Sequence, residues 1–305
     1  ASDVYKRQVE GLPVKAVAQI TKQGFIFVFD RVTGEPVWPI EERPVPTDTD
    51  IEGEIPWPTQ PFPTRPAPFD YQGVTIDDLV DFTPEIRTMA IEAIEPFRIG
   101  PMYTPHSQRG TIFRPGSSAG SWSGAAVDPE TGVLYVPSTN QFAVKQFREP
   151  GPGEDASLRF IERRGSARPQ MPQGLPLFKP PYSRMTAIDM NTGDHVWMQP
   201  MGNGDRIRNL PMLQDLDLPP LGGDSTRAGP LLTKTLLIYA LTAGGTDDGP
   251  RLVALDKATG DEIASVDLPG GAIGAPMTYM VGDRQYIALT VGGSRVPELI
   301  ALALP

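Results

Sequence analysis

The sequence predicts an all-β chain, part of a β-propeller, and three observations carry that expectation. Three segments align without gaps: VFDRVTGEPVW at 28–38, AIDMNTGDHVW at 187–197 and ALDKATGDEIA at 254–264. Each reads as an apolar strand, an Asp, a Thr-Gly turn and a second strand, with Gly supplying a positive φ and Asp bonding the turn backbone. The carboxyl-terminal third is a run of short strands and turns, LLIYALTAG, RLVALD, EIASVDLP, GAPMTYMVGDRQYIALTVGG and ELIALALP, none with helical period beyond two turns. Finally, 35 prolines and 31 glycines in 305 residues make the chain loop-rich, while 39% hydrophobic residues suffice for a large core. Short antiparallel strands in repeats fit four-stranded propeller blades. A β-sandwich is the alternative architecture.

The elements follow in order. Residues 1–8, ASDVYKRQ, lack an initiator Met and a signal-peptide pattern. DVYKRQ resembles a translated sequencing-adapter end, so 9–305 is expected to be the carboxyl-terminal part of a longer protein. VKAVAQIT and FIFVFD, rich in β-branched and aromatic residues, form a hairpin whose turn holds Lys22. An insertion over about 41–105 follows. Its first part, 41–70, is so rich in Pro that an extended, polyproline-like excursion is expected. The one convincing short helix lies within 77–97, with Pro84 in the first turn after Thr83 and Ile86, Met89, Ala90, Ile94 and Phe97 as its apolar positions. VDPETGVLYVPS at 127–138 is a fourth turn of the same chemistry, and 148–181 is a second insertion of low order.

Composition removes several function classes. The net charge of -10, with acidic residues scattered, argues against a nucleic-acid or anionic-membrane surface. No run reaches the roughly 18 apolar residues needed to span a bilayer as a helix. The absence of Cys excludes disulfides, iron-sulfur ligation and thiolate catalysis, and leaves the compartment open. Only His106 and His195 are present, so a multi-histidine metal site is excluded within this chain. GSSAG at 116–120 matches G-x-S-x-G around Ser118, but a strand and turn follow where a nucleophile elbow needs a helix. DTDIEG at 48–53 opens like a calcium loop, yet its twelfth position is Thr59, so a solvated acidic turn is expected.

The pattern A-x-D-x-x-T-G-x-x-x-W resembles the tryptophan-docking motif of the eight-bladed quinoprotein dehydrogenases, which use pyrroloquinoline quinone (PQQ). KQGFIFVFDRVTGEPV, PTQPFPTRP, YTPHSQRGTIFRPG, SWSGAAVDPETGVLYVPS and GGAIGAPMTYMVGDRQYIALTVGG extend the resemblance over nearly all of 14–305, in the order of the carboxyl-terminal half of the glucose, quinate and shikimate type. The resemblance implies about half of an eight-bladed ring, with Trp38 and Trp197 docking adjacent blades; Ala264 replaces the third Trp, so one junction must close differently.

The resemblance also implies site residues. Lys22 matches a turn lysine that hydrogen-bonds the ortho-quinone oxygens, where a fixed cation stabilises the charge of reduction. Trp122 matches a Trp close to the cofactor. Asn140 lies near a cofactor-contacting Asn, although the ungapped match falls on Pro137. Tyr182 stands where glucose-type enzymes show Trp, a departure that puts the substrate assignment in doubt. The family's catalytic aspartate and its Ca²⁺ ligands match segments upstream of residue 14, so no catalytic or metal-ligating residue is expected here and the fragment alone is expected to be inactive. The implied reaction is hydride transfer from a sugar, polyol or other alcohol to the quinone, with electrons passed to ubiquinone or a cytochrome c, in the periplasm and with membrane anchoring of the parent left open. The alternative is a non-catalytic propeller similar to an outer-membrane assembly scaffold; Lys22 and the PTQPFP insertion favour the enzyme.

Overall fold

The computed structural model describes residues 2–9, 12–116, 119–120, 124–293 and 296–303. Four antiparallel sheets follow one another along the chain. The first has Ser2–Val9, Leu12–Ile20 and Ile26–Asp30 in sequence order, and its outer edge continues through a bridge between Phe29 and Pro36. The second runs Ala126–Val127, Val133–Thr139, Ser183–Asp189 and Asp194–Pro200, so the second insertion leaves and re-enters between its second and third strands. The third is Leu231–Leu232, Leu236–Leu241, Arg251–Asp256 and Glu262–Asp267. In the last, Arg284–Gly292 pairs with Gly271–Ala272 and Met277–Val281 on one side and Glu298–Ala303 on the other.

Sequential meander sheets stacked face to face are propeller blades. The core lies between blades: Ala18, Ile26, Leu134 and Ile188 join the first to the second, Tyr135, Met185, Leu237 and Val253 the second to the third, and Ile238, Leu252, Leu289 and Val291 the third to the fourth. The Thr-Gly turns lock the first two junctions. A Cβ built at Gly193, φ +81°, would sit 3.5 Å from Trp38, and one at Gly260, φ +81°, would sit 3.0 Å from Trp197. Each docking Trp thus covers the turn glycine of the next repeat, where the left-handed φ already favours Gly. Ala264 stands where the third Trp would be, and an aliphatic cluster that includes Ile238, Leu252, Leu289 and Val291 packs the third junction.

The first insertion departs from the expected polyproline-like excursion. Ile40–Pro44 and Thr59–Pro63 form a two-stranded ribbon. A ribbon of two strands has only edges, so a proline can turn its missing donor outward. The helix is Pro84–Ile94, and the Thr83 hydroxyl accepts the Ile86 N–H at 3.2 Å. Ile86, Ala90 and Ile94 are buried, but Met89 is 38% exposed and not on the inner face. A second, one-turn helix, Asp205–Arg208, was invisible to periodicity because four residues carry no repeat. Thr83→Ala is expected to cost about 1 kcal/mol, read as a lower urea midpoint; an unchanged midpoint would show the cap to be idle.

One face of the last blade is uncovered. Met277, Val281 and Leu299 are 56%, 59% and 77% exposed, and Tyr279 stacks on Tyr286 beside them at 5.3 Å. Contiguous apolar surface of this kind drives association. The chain expressed as it stands is expected to self-associate, and Leu299→Lys to reduce that; a monodisperse monomer in light scattering would contradict it.

Candidate cofactor and substrate site

Lys22 sits in the hairpin turn that joins Leu12–Ile20 to Ile26–Asp30 in the first blade. Thr21 and Phe25 close the turn through Thr21 N–H to Phe25 O at 2.9 Å and Phe25 N–H to Thr21 Oγ1 at 3.1 Å. Its outward carbonyls are all taken: Lys22 O accepts from Ala119 N at 3.1 Å, Gln23 O from the Gln72 side chain, and Gly24 O from Phe69 N at 2.9 Å. Thus the backbone is pinned from two other segments. The Lys22 amine itself makes no hydrogen bond or ion pair with another described residue, and it lines a cleft of about 500 Å³ shared with Gln23, Trp57, Tyr103, His106 and Arg114.

Arg114, 2% exposed, is the rigid centre of the neighbouring wall. Its guanidinium lies 4.3 Å from the ring centres of both Tyr71 and Phe178, pairs with Asp78 at 2.9 Å, and donates to Gly73 O at 3.3 Å and Asn140 Oδ1 at 3.4 Å. Asn140 donates from Nδ2 to Lys179 O at 3.1 Å, and its N–H donates to Tyr182 O at 2.9 Å. The Tyr182 hydroxyl is buried with no partner among the described residues, and burial raises its pKa, with Tyr71 acting the same way.

A second cation lies against Tyr71. Arg184 is 4.7 Å from that ring and donates to Asp70 Oδ1 at 2.9 Å, deep inside the molecule. Burial pushes the Asp70 carboxyl up, Arg184 pulls it back, and Asp70 Oδ2 and Arg184 Nε have no partner among the described residues. Asp70 Cβ would lie 3.1 Å from a Cβ at Gly24, so this pair adjoins the Lys22 turn.

The structure therefore brings Asn140 and Tyr182 together around Arg114, and places Lys22 in the same cleft as Arg114. Asn140 spends its side chain on Arg114 and Lys179. Trp122 and Ser118 lie outside the described residues. The acidic turn at 48–53 is not simply solvated, because Asp48 meets Arg98, Asp50 meets Gln108 and Glu52 meets Arg159. No group of His, Asp and Glu suited to a metal ion occurs among the described residues. Arg114 and His106 were missed in the sequence, since nothing local marks an Arg that will lie between two distant rings.

Residues 3–287 match the family model described as the β-propeller domain of PQQ-dependent glucose, ethanol and alcohol dehydrogenases. The chain belongs to this family. It is 30% identical to the glycerol dehydrogenase large subunit of Gluconobacter oxydans (strain 621H) over 97% of its own length and 43% of that subunit. It is 29% identical to the quinoprotein glucose dehydrogenase of Escherichia coli (strain K12), over 93% of this chain and 37% of that enzyme. The chain thus spans under half the length of these curated relatives. Among solved structures, a europium-containing methanol dehydrogenase superposes with a TM-score of 0.54 at 19% identity, covering 96% of this chain and 39% of that one. The quinohemoprotein alcohol dehydrogenase of Comamonas testosteroni gives 0.53 at 18%, covering 95% and 34%. These two share the propeller fold.

The donor set fits the quinone of this family. An amine without a partner among the described residues, on a backbone pinned from two other segments and lining a cleft, suits an electron-accepting carbonyl. Lys22, which lines the cleft, offers an amine of that kind.

Proposed function

We propose that this chain is the carboxyl-terminal part of a PQQ-dependent dehydrogenase that oxidises a sugar, polyol or other alcohol. The observation that carries the reading is the Lys22 amine, without a partner among the described residues, on its pinned turn in the cleft. When bound, PQQ supplies the two-electron acceptor. Lys22 then stabilises the negative charge of reduction, a contribution that grows where water is excluded and the donor is preorganised. Arg114 holds Asn140 and the loop at 114–116 in place, so that the cleft wall costs no reorganisation as charge develops. The base that accepts the alcohol proton and the Ca²⁺ ligands belong to segments upstream, the electron acceptor is ubiquinone or a cytochrome c, and the compartment is the periplasm. A scaffold role gives no reason for a lysine in a cleft with no partner among the described residues.

The test is dye-linked oxidation by the completed enzyme, with glucose, glycerol and ethanol, with and without PQQ and Ca²⁺. Turnover that requires both is expected. Absence of PQQ-dependent turnover on all three would contradict the reading. The chain alone, lacking base and metal ligands, is expected to show none.

A further inference from the structure

The first insertion lines the same cleft as Lys22, and this wall is held in place by hydrogen bonds. Val45 N–H donates to Pro58 O at 3.0 Å, Arg98 donates to Asp48 O at 2.7 Å, and Gln108 reaches Asp50 through both its backbone N–H at 3.1 Å and its side chain at 2.8 Å. The acidic turn therefore works as a hook that fixes the segment 45–58 over the loop carrying His106. Trp57 lines the cleft and is nevertheless 72% exposed, with Pro46 and Pro56 beside it. Large exposed aromatic surface inside a concave site is a binding feature.

The facing loop adds polar groups. His106 lies against Phe113, ring centres 5.0 Å apart, and its Nδ1 is buried without a partner among the described residues. Burial lowers its pKa and Lys145 lowers it further, while Glu54 and Glu162 oppose them. Tyr103 beside it has a left-handed backbone, φ 67°, unusual for a ring-bearing residue and of the kind held at binding sites. Gln23, Gln60 and Glu54 supply further hydrogen-bonding groups in the same cleft.

We propose that this wall selects the substrate, with Trp57 and His106 as specificity-determining residues, and that it takes a neutral cyclic polyol. The inference rests on the dehydrogenase reading. A cyclic polyol presents a C–H face to an indole and a rim of hydroxyls to groups that both donate and accept, which matches Trp57 against His106, Gln23, Gln60 and Glu54. A carboxylate-bearing substrate is disfavoured: the Arg114 guanidinium is spent on Asp78, Gly73 and Asn140, Glu54 faces the cleft, and Lys22 serves the quinone. A two-carbon alcohol would leave Trp57 uncovered.

Two readouts test this. In the completed enzyme, Trp57→Ala and His106→Ala are each expected to lower the ratio of kcat/KM for glucose over that for ethanol about tenfold or more, through KM. Trp57 is exposed, so its replacement leaves the fold intact. Wild type is expected to prefer glucose to quinate. An unchanged ratio in both variants, or a preference for quinate, overturns the inference even where PQQ-dependent turnover is normal. If wild type shows no PQQ-dependent turnover at all, the dehydrogenase reading fails, and glucose titration of tryptophan fluorescence decides the wall separately. Saturable quenching that disappears in Trp57→Phe supports it, whereas no quenching, or quenching that survives that substitution, overturns it.

Discussion

Lys22→Ala in the completed enzyme, at saturating PQQ and Ca²⁺, lowers kcat about 10²–10³-fold, the usual loss when one preorganised donor to a developing anion is removed. Stability should barely move. The lysine side chain bonds no other described residue, and the turn is held by backbone groups that alanine retains, so the change stays within about 0.5 kcal/mol. Dye-reduction kinetics set beside thermal melts separate the two effects. A variant with normal turnover removes Lys22 from the site, while one that loses turnover and melting temperature together makes the residue structural.

The largest expected loss of stability lies at the junction of the second and third blades. Lys257 ties them three ways: its carbonyl accepts from Trp197 Nε1 at 3.2 Å and from the Tyr135 hydroxyl at 2.9 Å, and its amine pairs with Asp128 at 2.7 Å. The Asp128 and Lys257 side chains are only 3% and 14% exposed. Desolvation raises the Asp128 carboxyl, but bonds from Lys257, Thr131 and the Glu130 N–H outweigh it and hold its pKa below the ordinary 3.8. Asp128→Ala leaves a buried ammonium unmatched and is expected to cost about 3–5 kcal/mol. The pH dependence has a definite sign. An acid whose folded pKa is depressed contributes fully above its unfolded pKa, and that contribution is lost as pH falls through the folded value. Wild type should therefore lose stability below about pH 4 more steeply than Asp128→Asn. Parallel acid-denaturation curves for the two proteins would show that the pair does not govern this junction.

The blades were legible because their signals are local: strand pattern, an Asp at each turn, and a Gly at positive φ. That Trp38 and Trp197 dock adjacent blades was implied by the family resemblance, while the turn glycines they cover, Gly193 and Gly260, emerged only from the packing. The ribbon over 40–63 was not legible, since proline density argues against strands except where both strands are edges. Met89 was placed on the inner face of the helix because it fits the apolar spacing, but which face is covered depends on packing against segments near 171–182, far off in sequence. Lys22 was singled out through its family position alone, and the structure shows it lining the cleft. Arg114 depends on Tyr71, Asp78, Asn140 and Phe178 arriving from four separate segments, a juxtaposition no local pattern encodes. The pairing of the acidic turn with Arg98, Gln108 and Arg159 was hidden for the same reason.

The central claim is that the pinned turn exists to present the Lys22 amine to the quinone, and a crystal structure of the completed enzyme with PQQ tests it most directly. The account predicts Nζ of Lys22 within about 3.2 Å of a quinone oxygen, with the bonds to the carbonyls of residues 22–24 unchanged. Density for PQQ elsewhere in the ring, with the Lys22 amine turned to solvent, would contradict it.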